Sequence, residues 1–394
     1  MDIRIDWPSR GHKFTEAEIT AVAEVMRSNN TALTQGPKVQ HFEKKFAEYI
    51  GADRAFALMS AAHGLDIASM LMEVGSEDEI IIPAHTYCAT ALAFARRGAV
   101  IRWADIHPKA FTASIESIRK LITPKTKAIV VVHLYGLISP EIEEIANLAK
   151  EAGIFLIEDC AQSLGAKWNG KHGGTFGDMG CYSFHSQKNL TTLGEGGMMT
   201  VKNPALYDKL TGLRLNGHAP FSNKPEYWLP AMVNVDEDIP GFWPIKSTMN
   251  EPQAAVGALI LERMDELTEQ RRERGLKIRM ALSDIKELEF QAIHSDEAHS
   301  HHLLPARCTS SKWHRDDLIR LLFNKHGVKA IIQFYPLYRY DLFKKTGYGK
   351  SDVPETDHFF DNMISFPFSV VINEKDFEYM IASIKASVEE LNSK

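Results

Sequence analysis

An α/β fold around a mostly parallel sheet is what this sequence predicts, and two observations predict it. Between Ala55 and Ile157 short apolar runs alternate with amphipathic stretches. Ala128 to Val132 is apolar throughout, as a strand covered on both faces must be. Alternation of this kind places helices on the faces of a parallel sheet.

The elements follow in chain order. Thr15 to Asn29 reads as an amphipathic helix, with Thr15 as N-cap and Glu18 as its capping-box partner. Leu33 to Pro37 breaks the pattern. A second helix runs from Val39 to Tyr49, with Phe42, Phe46 and Ile50 on one stripe. Strands are predicted at Ala55–Leu58, Glu79–Pro83, Ala99–Trp103, Ala128–Val132 and Ile154–Ile157. Helices at Leu65–Met72, Cys88–Arg96, Ile115–Ile122 and Glu141–Ala152 lie between and around them. Near residue 250 the pattern changes. Glu262 to Ile285 reads as one long charged helix that presents Arg271, Arg272 and Arg274 on a solvated face. Further strands and helices follow, including Arg315–His326 and Glu374–Leu391. The division is therefore drawn at residues 1–250 for a large unit and 251–394 for a smaller C-terminal α/β unit.

With 394 residues, the chain is long enough for about two packed units. Its 44% hydrophobic and 24% charged residues are those of a globular protein. A net charge of -6 argues against nucleic acid as the main partner. Cys88, Cys160, Cys181 and Cys308 show no CxxC spacing, so neither a structural zinc nor a disulfide framework is expected. The first residues lack an apolar signal core, and no run approaches the roughly 18 apolar residues of a membrane span. A cytoplasmic protein with reduced thiols is the expectation.

The informative stretch runs from Ile154 to Thr200. An apolar strand delivers Asp159 at its C-terminal end, where ligands of open α/β sheets sit. Lys188 follows in a segment rich in Ser, His and Gln and flanked by glycine. A carboxylate at a strand end and a lysine on a later loop suit pyridoxal 5'-phosphate. The first keeps a pyridine nitrogen protonated and the second forms a Schiff base. Singly, an Asp at a strand end is a turn or cap residue and a Lys is a surface group. Their joint setting raises the functional reading.

Here the chain resembles the DegT/DnrJ/EryC1/StrS family of sugar aminotransferases. The segments that carry the resemblance are LTQGP (33–37), IIPAHTYCATA (81–91), VVHLYG (131–136), IEDCAQSLGA (157–166), GDMGCYSFHSQKNLTTLGEGGM (177–198) and NEPQAAVG (250–257). QFYPLY (333–338) and FDNMISFPF (360–368) are weaker echoes. The resemblance runs from Pro8 almost to the C-terminus. It implies a PLP-dependent transferase of fold type I, with a mixed, mostly parallel seven-stranded sheet in the large domain. It also implies a homodimer whose active sites are shared between subunits.

The same resemblance implies the site residues. Lys188 matches the Schiff-base lysine, which also moves the proton during amino transfer. Asp159 matches the partner of the pyridinium nitrogen. Gln162 matches a residue beside the ring, its other reading being an ordinary loop hydrogen bond. Tyr87 matches the aromatic stacked on the ring; an ordinary buried aromatic is the alternative, and His85 is an adjacent competitor. Ser60, Ala61 and Ala62 match the phosphate turn. Ala61 and Ala62 replace the family's Gly and Thr, so backbone amides must serve there. Ser183 matches a phosphate-binding serine. Before NEPQAAVG many relatives carry an N-x-R segment that reaches across the dimer. This chain has Lys246, Ser247 and Thr248, and Lys246 replaces a neutral donor with a charge. The Trp- and Pro-rich approach at Tyr227–Pro230 and Gly241–Pro244 also departs from the family pattern.

The implied reaction is ping-pong transfer of an amino group from L-glutamate or glutamine to a keto- or aldehyde-sugar. The acceptor is nucleotide-linked or a free sugar acid such as an octulosonate. The product is an amino sugar for surface polysaccharide, lipopolysaccharide or secondary metabolites. Alternatives are a cyclitol aminotransferase, a sugar dehydratase of the same family, in which histidine replaces the lysine, and a cofactor-binding regulator without turnover. The histidines at 294, 299, 301 and 302 read as a solvated turn without metal-ligand spacing. Gly194 to Gly197 is not in a dinucleotide-binding setting.

Overall fold

The computed structural model describes residues 3–29, 32–218 and 243–394. The Tyr227–Pro230 and Gly241–Phe242 segments lie outside the described residues. Thr15 caps the first helix, Glu16–Arg27, with the full reciprocal capping box to Glu18. The second helix, Pro37–Ile50, has Pro at its start but no side-chain cap of its own. Glu251 supplies one from afar. Its carboxylate accepts from the amides of Gly36, Lys38 and Val39 at 2.9–3.0 Å. A negative group is thus buried against the positive end of the helix.

Among the described residues nine strands precede residue 202: β1 (Ala55–Leu58), β2 (Glu79–Pro83), β3 (Val100–Ala104), β4 (Thr126–Val132), β5 (Phe155–Asp159), β6 (Lys167–Trp168), β7 (Lys171–His172), β8 (Met179–Ser183) and β9 (Gly197–Val201). The strand positions predicted from Ala55 to Ile157 hold to within three residues at either end. β8 and β9 lie in the motif stretch and were not predicted, because glycines and hydroxyl residues break their periodicity. The main sheet has seven strands in the order β1-β9-β8-β5-β4-β2-β3. β9 is antiparallel to both its neighbours and every other pairing is parallel. The sheet is mixed and mostly parallel, as expected. β6 and β7 form a separate hairpin.

Three strands, β10 (Leu288–Phe290), β11 (Leu304–Cys308) and β12 (Met363–Phe366), make a second, antiparallel sheet. Helices Arg315–His326 and Glu374–Asn392 cover it through Leu318, Leu322, Phe377 and Ile384. Ile5 joins this cluster and bridges Val328.

The single helix predicted from Glu262 to Ile285 is two helices, Glu251–Glu262 and Met264–Ala281. The break falls at Arg263, whose guanidinium is drawn to Glu18 and the Lys13 carbonyl. The first of the two packs Ala254, Val256 and Ile260 with Phe42, Phe46 and Phe184. The second carries Ile278 into the C-terminal cluster. We propose that the smaller unit begins within this second helix, downstream of the boundary read at 250, and that it includes the strand-like start near Ile5.

Arg271 was placed on a solvated face, and the structure corrects this. It is among the largest fully buried side chains, while Arg272 and Arg274 are half-buried. The partners are backbone carbonyls. Arg271 donates to His301, His302 and Gly11, and Arg274 to Ser369 and Ile372. Helical periodicity cannot reveal such partners because they come from distant loops.

Candidate active site

Six strands of the main sheet point their C-terminal ends the same way, and five of them lead to site residues. β1 runs into Ser60, β2 into Tyr87, β4 into Tyr135, β5 ends on Asp159, and β8 leads to Lys188. Parallel pairing therefore gathers residues scattered over the chain at one sheet edge, beyond the carboxyl ends of the strands. A cavity of about 470 Å³ opens there. Ser60, Ala61, Ala62, Tyr87, Asp159, Gln162, Ser183 and Lys188 all line it. Lys246 does not. It is exposed, paired in a short bridge with Leu215.

The phosphate turn is built from backbone. Ser60 is the N-cap of the helix Ala61–Leu71 and accepts from the amide of His63 at 3.2 Å. The helix thus starts at Ala61, four residues before the predicted start, and its first two residues line the cavity. Gly197 lets β9 pass close behind this turn, since a Cβ there would lie 2.4 Å from the Ser60 carbonyl carbon. Gly197 therefore serves packing against the turn.

Asp159 is buried. Its Oδ1 accepts from the Ala161 amide at 3.1 Å and its Oδ2 from the Thr90 hydroxyl at 2.9 Å. Burial pushes its pKa up, and these two donors and the charge of Lys188 oppose that shift. Lys188 is half-buried on the cavity wall, and desolvation lowers its pKa to about 8 against the pull of Asp159. An acid and an amine are thereby held in one low-dielectric cavity, with the amine partly neutral near pH 8.

Gln162 has its carboxamide oxygen fixed by the Tyr135 amide at 2.7 Å, which leaves its NH2 group for the cavity. Tyr135 adopts a positive φ of 65° to present that amide. Tyr87 is 58% exposed, so the reading as an ordinary buried aromatic fails. Its ring stands edge-on to Phe334 at 6.1 Å. The competitor, His85, is buried and its Nε2 meets the Tyr135 hydroxyl at 2.7 Å. Burial lowers its pKa to about 3, and it does not line the cavity.

The histidine patch is corrected. His294 is exposed, but His299, His301 and His302 are buried. His302 lines the cavity and its Nδ1 meets Asn189 at 3.3 Å. His299 and His301 stack at 4.1 Å. The sequence reading also missed Thr90, Arg271 and the N-terminal residues Trp7, Pro8 and Arg10, all of which touch the cavity or its acid. A signal existed for Thr90 alone. It lies within the family segment 81–91 that also carries Tyr87.

A group of His133, Glu158 and Cys160 lies close enough for a metal, but hydrogen bonds already occupy its oxygens. The Glu158 carboxylate accepts from the amides of Gly174, Phe176 and Gly177 and meets His133 Nε2. This is a structural knot beneath Asp159.

The sequence profile of the DegT/DnrJ/EryC1/StrS aminotransferase family matches residues 12–385. The chain belongs to this family. Among DegT/DnrJ/EryC1/StrS relatives, spore coat polysaccharide biosynthesis protein SpsC of Bacillus subtilis is 30% identical over 371 residues, 93% of each chain. GDP-perosamine synthase of Caulobacter vibrioides is 38% identical over 231 residues, 59% of this chain and 58% of that one. Spr1654 of Streptococcus pneumoniae, solved in a PLP form, superposes with a TM-score of 0.85 at 27% identity, covering 98% of this chain and 99% of that one. This member of the DegT/DnrJ/EryC1/StrS family is a PLP-dependent aminotransferase. The cavity fits that cofactor: a buried carboxylate, a half-buried amine and a helix N-terminus converge on it. No described helix is long and apolar enough to cross a membrane.

Proposed function

We propose that this enzyme moves an amino group from L-glutamate, or glutamine, to a keto- or aldehyde-sugar in the cytoplasm, for surface polysaccharide or a related amino-sugar product. The observation that carries this reading is the convergence of Lys188 and Asp159 with the Ser60–Ala62 turn on one cavity. GDP-perosamine synthase supports a nucleotide-linked acceptor. The loss of the family arginine at Thr248, and Lys246 nearby, support an acceptor of different charge, such as a free octulosonate.

Pyridoxal phosphate supplies an electron sink and a carbon that carries the amino group between substrates. The amides of Ala61 and Ala62, with Ser60 and Ser183, hold its phosphate. Asp159 keeps the ring nitrogen protonated, and Thr90 and the Ala161 amide hold that carboxylate ionised. Tyr87 and Gln162, which line the same cavity, would hold the ring, with the Gln162 NH2 group as a donor to it. Lys188 holds the cofactor at rest. Its ε-amine then takes a proton from the donor's α-carbon side and returns it on the acceptor side. A lowered pKa lets the free amine exist at working pH. The presence of Lys188 disfavours the dehydratase reading, in which histidine stands there.

In a homodimer with shared sites, Lys246, exposed on one subunit, reaches the phosphate of the other. The test is direct. Protein charged with glutamate is freed of excess donor and offered keto-sugars and sugar aldehydes in turn. Return of the bound cofactor's visible absorbance, with an aminated sugar by mass, identifies the acceptor. A deoxygenated product, or no glutamate-driven change at all, would overturn the reading.

A further inference from the structure

Two cations of the cavity wall have no part in holding the cofactor. Arg271 is buried and lines the cavity, yet it meets no carboxylate among the described residues. Backbone carbonyls of His301, His302 and Gly11 take its N–H groups. Arg10 lines the same cavity from the N-terminal segment, and its exposed side chain also meets no carboxylate among the described residues. One small structural unit brings the two together. The Gly11 carbonyl accepts from Arg271, and the Ser369 hydroxyl donates to the carbonyls of Arg10 and Gly11.

The charge balance of the cavity points the same way. Among the described residues its acids are Asp159 and Glu195. Asp159 faces Lys188 through space, and Glu195 stands 3.9 Å from His185. Among the described residues nothing offsets Arg10 and Arg271, and Phe368 and Leu303 add apolar surface to the same cavity. Burial without an opposing charge lowers the pKa of Arg271 only to about 10, so it stays cationic at neutral pH. An unpaired buried cation is costly, and a bound anion removes the cost.

We infer that Arg10 and Arg271 form a carboxylate-binding subsite, used by the substrate rather than by the cofactor. This rests on the reading of the cavity as the site of amino transfer. Arg10 is the contact residue, free to fork onto a carboxylate, and Arg271 supplies fixed positive potential behind it. In a ping-pong enzyme donor and acceptor occupy one cavity in turn. The same subsite therefore takes the donor's carboxylate and, where the acceptor is a sugar acid, the acceptor's too.

The experiment uses the cofactor-loaded enzyme and glutarate, which has the carboxylates of the donor but no amino group to react. Calorimetry of wild type, R10Q and R10K measures binding without turnover. R10Q is expected to weaken glutarate by about 10–100-fold, with R10K recovering part of the loss and the bound cofactor's absorbance unchanged. R271K, checked first for a wild-type melting temperature, is expected to weaken it likewise. If R271K does not fold, R10Q and R10K decide alone. Equal glutarate affinity in R10Q and wild type overturns the proposal. Two half-reactions then separate the sources. Slower cofactor bleaching by glutamate in R10Q assigns the donor. Slower recovery with an aldehyde sugar acid, but not with its methyl ester, assigns the acceptor. Because glutarate binding is read without catalysis, the subsite can stand while no sugar accepts the amino group, and amino transfer can be found with the subsite refuted.

Discussion

The Thr90 hydroxyl donates a 2.9 Å hydrogen bond to Oδ2 of Asp159, linking a helix start after β2 to the end of β5. That bond favours the ionised carboxylate against burial. Thr90→Val keeps the shape and removes the donor. Asp159 then rises further in pKa, and the low-pH limb of activity moves toward higher pH. Loss of a hydrogen bond to a charged group is worth about 1.5–3 kcal/mol, so kcat/KM is expected to fall roughly 10–100-fold. Thr90→Ser should restore most of it. An unshifted pH profile in Thr90→Val would remove this role.

Lys188 sets a second rise, on the same ascending side but at higher pH. Its pKa is lowered to about 8, so the amine is protonated below that value and free above it. The rate of amino transfer should therefore rise with pH through about 8. Lys188→Ala should abolish both the covalent hold on the cofactor, read by mass after borohydride reduction, and turnover. Wild-type turnover in Lys188→Ala would end the assignment.

Gly11 touches the lysine loop directly. A Cβ on Gly11 would lie 1.9 Å from the Lys188 carbonyl oxygen, and the Gly11 amide already donates to Ser186 at 3.0 Å. Gly11→Ala must push the N-terminal segment or the loop away. A displacement of about 1 Å at a reacting group can cost about 100-fold in rate. The expected result is that loss in kcat with circular dichroism unchanged; a fully active Gly11→Ala protein would contradict it.

Acid should destabilise the enzyme through its buried histidines. Burial first, then Arg271, Arg272 and Arg279, hold the pKa of His301 well below the usual value. His299 and His302 are lowered in the same way. The folded state keeps them neutral, whereas the unfolded chain protonates them below about 6.5. Stability is thus full above about pH 6.5 and is lost as pH falls toward the folded values. Each such proton adds about 1.4 kcal/mol per pH unit to the slope. His301 adopts φ 46°, and neither ring nitrogen has a hydrogen-bond partner, so His301→Asn tests one of the three. Chemical unfolding from pH 8 to 5 should show a shallower acid slope in the variant.

If Lys246 serves the neighbouring site, mixing inactive Lys188→Ala with weakened Lys246→Ala should form heterodimers with one complete site. Activity above the sum of the parents is the expected reading. No gain on mixing, with exchange of subunits verified by mass, would place Lys246 outside the site.

Much of this was legible locally. The Thr15 capping box, the five strands from Ala55 to Ile157, and the helix Arg315–His326 follow from periodicity and capping, which act over a few residues. Family segments named eight residues that do line one cavity. What failed was whatever depended on distant partners. Arg271 and His299, His301 and His302 look like surface groups along the chain, yet carbonyls and side chains from other loops bury them. Glu251 looks like an ordinary acid in a helix and caps the helix at Pro37.

By itself, the sequence determined the α/β alternation, the Asp159 and Lys188 pair and the family chemistry, because these are written in short-range pattern and residue type. Only the tertiary structure decided which charges are paired. Parallel strands bring their carboxyl ends to one edge, where burial in low dielectric lowers the pKa of Lys188 and, among the described residues, Arg271 is left without a carboxylate. Solvation and pairing are properties of neighbours in space, and the order of residues along a chain does not contain them.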